Sequence, residues 1–240
     1  MSTEAFTKEN LDACLKELGK EYRSRSGTAM PAEVILIGGA SILVNYGFRD
    51  VTYDVDAVIM ASSAMKEAVN RVSDKLGLPN GWLNMDFKRT ASYSDKLAEV
   101  SVYYKTFSNV LTIRTITAEY LIAMKLKSGR QYKYDLSDIV GILWEHDKTG
   151  KPISREAVDE AVTVLYGGWE AIPPISNELI QTAFDSGDYE KLYLSSRESE
   201  QQSKEILQDF ERDYPGELKG ENIDSIIEKA RKKRGDRDAR

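Results

Sequence analysis

The chain predicts an α+β fold, a small mixed sheet with helices packed on it, followed by a helical C-terminal region. Three observations predict it. The chain opens in β-α-β-α order, with compact apolar runs at 33–37 and 55–60 separated by a short helical pattern. Extended segments come next, and then further helical spacing. From Ser154 onward only helical patterns occur, which divides the 240 residues into 1–150, carrying the sheet and an N-terminal helix, and 151–240.

The elements follow in order. Leu11, Leu15 and Leu18 recur at helical spacing within 8–24. The strand at 33–37 ends on Gly38-Gly39, a short helix over 40–46 stops at Gly47, and 55–60 is the second strand. A helix over 63–76 opens with Ser63 as its cap and closes at Gly77. After the turn Leu78-Pro79-Asn80-Gly81, extended segments are expected at 82–87, 97–104 and 110–115. Thr117 is expected to cap a helix running to Ser128, and 136–144 forms another, with the helices on one face of the sheet. Ser154 starts the helical region, which continues at 177–184, 189–210 and 223–234, punctuated by Pro173-Pro174 and Tyr214-Pro215-Gly216. Residues 197–204 are so polar that their helix is expected to be largely exposed or to engage a partner.

At 41% hydrophobic and 30% charged residues, the composition is that of a globular chain able to bury a core. The longest apolar runs fall far short of the roughly 20 residues that span a bilayer. The N-terminus lacks a basic region followed by an apolar stretch. Its single cysteine, Cys14, excludes an internal disulfide and sits among helix-spaced leucines as a buried thiol. A cytoplasmic protein with no membrane partner is expected. The net charge of −6 argues against non-specific coating of nucleic acid, though not against a local basic groove. The run from Lys229 to Arg234 reads as a solvated helix end favoured by the helix dipole, with an RNA-binding tail as the alternative.

The densest chemistry lies in Ile37-Gly38-Gly39-Ala40-Ser41, followed by Asp54-Val55-Asp56. Two glycines between a strand and a helix permit a tight turn and leave room for a bulky anion. The helix that follows presents unpaired N–H groups to a phosphate, and Ser41 can add a hydroxyl. Asp54 and Asp56 alternate about Val55, so both carboxylates project to one face of the sheet. Paired carboxylates repel unless a cation lies between them, and Mg²⁺ binds through one or two carboxylates together with substrate phosphates. Asp56, flanked by apolar strand residues, is costly to bury unless paired. Lys125 poses the same question inside the apolar helix Tyr120 to Leu126; snorkelling to the surface is its alternative. His146, the only histidine, reads as a helix-end residue. Trp82 reads as packing, as do Tyr93, Tyr103 and Tyr104 on strand faces.

These residues resemble the polymerase-β-type minimal nucleotidyltransferase superfamily, and more narrowly a bacterial branch related to AbiE-type toxins. Three further blocks carry the likeness: Gly47-Phe48-Arg49-Asp50-Val51-Thr52, Trp82-Leu83-Asn84, and Lys125 to Arg130 with Asp135 and Asp138. It covers residues from about 30 to 145. The resemblance implies a transferase moving NMP from an NTP to a tRNA or protein acceptor with Mg²⁺ or Mn²⁺. Gly38, Gly39 and Ser41 would hold the triphosphate, Asp54 and Asp56 the metal, and Lys125 a phosphate. Asp135 or Asp138 would complete the acidic part, and Arg130 would contact phosphate or hold that Asp. It also implies a toxin role with an antitoxin partner. The wider superfamily's third metal carboxylate has only Asp86 and Glu99 as candidates here. Without one, the chain would be a nucleotide-binding or protein-interaction module on the same fold.

Overall fold

Five strands, β1 (Ala32–Leu36), β2 (Val55–Met60), β3 (Leu83–Asn84), β4 (Ser101–Phe107) and β5 (Leu111–Ile116), form one mixed sheet in the computed structural model, which describes residues 5–238. Their order is β3-β2-β1-β5-β4; β1 runs antiparallel to β2 and parallel to β5, and β2 runs parallel to β3. The described helices are α1 (Lys8–Ser26), α2 (Gly38–Asn45), α3 (Ala64–Leu76), α4 (Ala118–Ser128), α5 (Asp135–Lys148), α6 (Arg155–Tyr166), α7 (Pro174–Ser186), α8 (Tyr189–Asp213) and α9 (Ile223–Asp238). None of them is long and apolar enough to cross a membrane. The first four residues of the N-terminal stretch and the side chain of Arg234 lie outside the described residues.

Helices cover both faces of the sheet, not the one face expected. Val34 and Leu36, with Val55, Ala57, Leu111 and Ile113, join one buried cluster with α1 and α3. Ile35, Val58 and Ile116 join a second with α4, α5 and α6. The unbroken apolar run Val34 to Ile37 is the local reason, because a strand buried on both faces has no polar alternation. Asp56 shares its face of β2 with Val58, so it lies on the side of α4 and α5.

Several local expectations change. The segment 82–87 shortens to β3 and a 3-10 turn at Asp86–Arg89, and β4 begins only after a second such turn at Asp95–Ala98. Ser63 is itself helical and makes no side-chain cap, and the Thr117 hydroxyl donates to Glu119 instead of capping α4. Thr7 does cap α1, in a reciprocal box with Asn10, and Ser154 caps α6. Cys14 is buried, and burial pushes its thiol pKa up. Trp82 is buried beside Phe6, its indole N–H donating to the Val69 carbonyl. Tyr103 is 64% exposed, next to a register shift in β4, and does not pack. His146 bridges the Tyr46 hydroxyl and the Lys151 carbonyl at the end of α5.

The polar segment 197–204 is exposed along one side, at Glu198, Gln201, Gln202 and Lys204, and packs inside the chain along the other. Ser196, Glu200 and Ser203 form a buried stripe on α8, which packs along α5. Small hydroxyl side chains let the two helices approach there, next to the Trp144–Tyr193 ring contact. Arg231 of α9 is tied to the same stripe through Ser199 and Ser203, so one member of the basic run is structural. Lys229, Lys232 and Lys233 remain exposed.

Candidate active site

The strand-to-helix turn depends on two different properties of glycine. Gly38 has φ +53°, a left-handed conformation that L side chains rarely adopt. Gly39 is needed for space: a Cβ there would lie 2.6 Å from Thr52 Oγ1 and 3.0 Å from an Arg49 guanidinium nitrogen. The Thr52 hydroxyl in turn donates to the Asp54 carbonyl oxygen at 3.1 Å. Turn, arginine–threonine segment and first aspartate therefore abut one another. Gly39→Ala must displace Thr52 or Arg49, and a loss of about 1–3 kcal/mol in urea unfolding is expected.

Gly38, Gly39, Asp54 and Asp56 line one cleft of about 640 Å³. Ser41 does not. It is fully buried, and its Oγ accepts the backbone N–H of Ile116 at 3.2 Å, so its hydroxyl points towards the end of β5. The part of the turn that lines the cleft is Gly38-Gly39, which offers only backbone. Asp54 is exposed and Asp56 half-buried. Burial, followed by the charge of Asp54, pushes the Asp56 carboxyl pKa above its ordinary value, while Lys133 and Arg130 work the other way.

Of the two candidates for a third carboxylate, Asp86 lines this cleft and adds to the negative field at Asp56, whereas Glu99 is an exposed residue outside it. Asn84 is paired in register with Asp56 on the neighbouring strand, and its side-chain oxygen accepts the Asp86 N–H at 2.9 Å. The Trp82-Leu83-Asn84 block thus anchors β3 through Trp82 and sets the turn that carries Asp86. Among the described residues no group of three His, Cys, Asp or Glu side chains is close enough to hold a metal ion. The donor set fits a hard divalent cation that takes two carboxylates and completes its shell with substrate oxygens. It does not fit an all-protein cage.

In the wall of the cleft runs a largely buried chain of ion pairs. Lys125 Nζ sits 2.8 Å from Asp135 Oδ1 and 2.8 Å from Asp138 Oδ2. Arg49 donates to Asp138 at 2.5 Å, and Arg130 to Asp135 at 2.7 Å. Both aspartates are buried, as is Lys125. Although burial opposes its ionisation, Lys125 and Arg130 hold the Asp135 carboxyl well below the usual range. Lys125 does not snorkel, and its ammonium is shared by two anions. Arg130 holds Asp135, as one of its two expected roles required.

Neither aspartate caps α5 from outside. Glu200 of α8 does so, its carboxylate accepting the N–H groups of Leu136 at 2.8 Å and Ser137 at 3.2 Å, and the Ser137 hydroxyl at 2.6 Å. Glu200 had no signal in the chain, because a glutamate in a polar helix is ordinarily solvated. The same helix brings Lys204, Leu207, Gln208 and Glu211 to the cleft wall, joined by Ile223 of α9. Lys133, just before α5, lines it too. Separation along the chain hid these contributions.

The sheet, the glycine turn and the acidic pair fall within residues 13–144, which match the model of a family described as "Nucleotidyltransferase of unknown function (DUF6036)". That span is more than half of the chain. The chain belongs to this family. Comparison with curated proteins and with solved structures gave no match. Family membership supports a transferase that uses a nucleoside triphosphate; the AbiE-type branch lies beyond what the match carries.

Proposed function

We propose that the cleft transfers a nucleoside monophosphate from an NTP to a hydroxyl of an RNA or protein acceptor. The observation that carries this reading is the meeting of Gly38, Gly39, Asp54 and Asp56 in one cleft of a nucleotidyltransferase-family chain. The backbone of the glycine turn, opening directly into α2, receives phosphate oxygens at a helix start. Asp54 and Asp56 would hold Mg²⁺ or Mn²⁺, which when bound offsets charge on the triphosphate and lowers the barrier to attack. The acceptor oxygen attacks the α-phosphorus, and the bond to the α–β bridging oxygen breaks, with pyrophosphate taking its electron pair. Asp86, exposed at the rim, is the carboxylate available to take the acceptor's proton. Lys125, Asp135 and Asp138 act together in the cleft wall: the ion-pair chain fixes Arg49 against the glycine turn. Ser41 supports the turn from its buried side.

The chain incubated with Mg²⁺, each labelled NTP and cellular RNA or protein is expected to transfer label, and Asp56→Asn to cut the rate roughly a hundredfold or more. No transfer, with Asp56→Asn indistinguishable from wild type, sinks the reading. A second reading, a nucleotide-binding module without catalysis, is favoured by one observation: an amide, Asn84, stands beside Asp56 on β3. It predicts NTP binding that is indifferent to Mg²⁺. A toxin role belongs to the first reading and predicts growth arrest on expression, relieved by Asp56→Asn and by an antitoxin partner.

A further inference from the structure

The cleft presents five basic side chains, those of Arg49, Lys125, Arg130, Lys133 and Lys204. A polyphosphate needs cations whose charge is not already answered by the protein. Three of the five fail that requirement: Lys125 lies between Asp135 and Asp138, Arg49 is bound to Asp138, and Arg130 to Asp135. Lys133 and Lys204 are exposed in the same cleft, and neither forms an ion pair among the described residues. They come from separate elements. Lys133 stands in the connection from α4 to α5, and its charge is felt at Asp56. Lys204 stands one turn beyond Glu200, whose carboxylate fastens α8 to the start of α5. Two cations held around one cleft repel each other until an anion enters between them. A lysine ammonium on a flexible stem suits a phosphate as a point charge.

We propose that Lys133 and Lys204, in place of Lys125, grip the polyphosphate of a nucleoside triphosphate, so that α8 of the C-terminal region completes the nucleotide site. This rests on reading the cleft as a nucleotide site. The grip acts on the β- and γ-phosphates, because the acidic pair would hold the metal at the reacting end.

The test is calorimetric binding of α,β-methylene NTP analogues and of the matching NMPs, with Mg²⁺, to the full chain. Wild type, Lys133→Ala, Lys204→Ala and Lys204→Arg are compared, with Lys229→Ala on the exposed side of α9 as a charge control. Each alanine variant at the cleft is expected to weaken triphosphate binding roughly tenfold or more and to change NMP binding less than about twofold. Lys204→Arg is expected to restore most of the loss, and Lys229→Ala to bind as wild type. If both cleft variants bind triphosphate as wild type does while Asp56→Asn loses Mg²⁺-dependent binding, the grip is wrong and the nucleotide site stands. If wild type binds no triphosphate, both fall.

Discussion

Asp135→Ala is expected to destabilise the fold by about 3–5 kcal/mol, because it strands Lys125 and Arg130 beside a vacated buried position. The carboxylate is fully buried and answers two cations, so its loss leaves buried Lys125 with Asp138 alone and Arg130 without its partner. Asp135→Asn, which keeps the shape but not the charge, is expected to be nearly as costly. The depressed carboxyl pKa gives the pH dependence its sign. The unfolded chain takes up a proton at about pH 4, while the folded chain resists doing so. The contribution is therefore whole above that pH and is lost as the pH falls further towards the folded value. Urea unfolding of wild type and Asp135→Asn between pH 7 and 3 checks both points. Wild type is expected to lose stability more steeply in acid than the variant. Equal stability at pH 7 contradicts the network's role.

Glu200→Gln is expected to remove a fall in stability that wild type shows from about pH 5 to pH 8. Burial pushes the Glu200 carboxyl pKa up to about 8, against the hydrogen bonds of Ser137, and the nearby charge of Asp138 adds to the rise. Across that window the folded protein keeps a proton that the unfolded chain has released, so raising the pH withdraws stability, on the order of several kcal/mol in all. Glutamine cannot ionise, yet its carbonyl oxygen still accepts the Leu136 and Ser137 N–H groups. The variant's melting temperature is expected to stay flat with pH and to exceed that of wild type at pH 9. Glu200→Ala leaves those N–H groups unpaired at a buried helix start, and is expected to cost about 1–3 kcal/mol at every pH. Thermal melts of the three proteins from pH 5 to 9 separate these outcomes. A wild-type profile without slope overturns the first.

The two variants also explain why sequence reading located the cleft but misjudged some of its parts. Gly38-Gly39 and Asp54-Val55-Asp56 are local arrangements. A glycine pair between a strand and a helix makes a turn wherever it occurs, and residues two apart on a strand share a face. Helical and strand spacing followed the same logic, and most element boundaries fell within a few residues of their places. The expected cap at Ser63 failed because its backbone already takes helical angles, and the one at Thr117 because its hydroxyl has another partner to choose, Glu119.

What the sequence by itself determined is thus the α+β class, the glycine turn and the acidic pair, all consequences of neighbours along the chain. Only the tertiary structure decided how the charges around them are shared. Lys125 is neutralised by Asp135 and Asp138, Ser41 turns to Ile116, Asp86 rather than Glu99 reaches the cleft, and Glu200 and Lys204 arrive on a distant helix. The physical reason is that a charge or a hydroxyl is satisfied by whatever lies within about 3 Å in space, and residues from 10 to 75 positions apart in the chain supply those partners here.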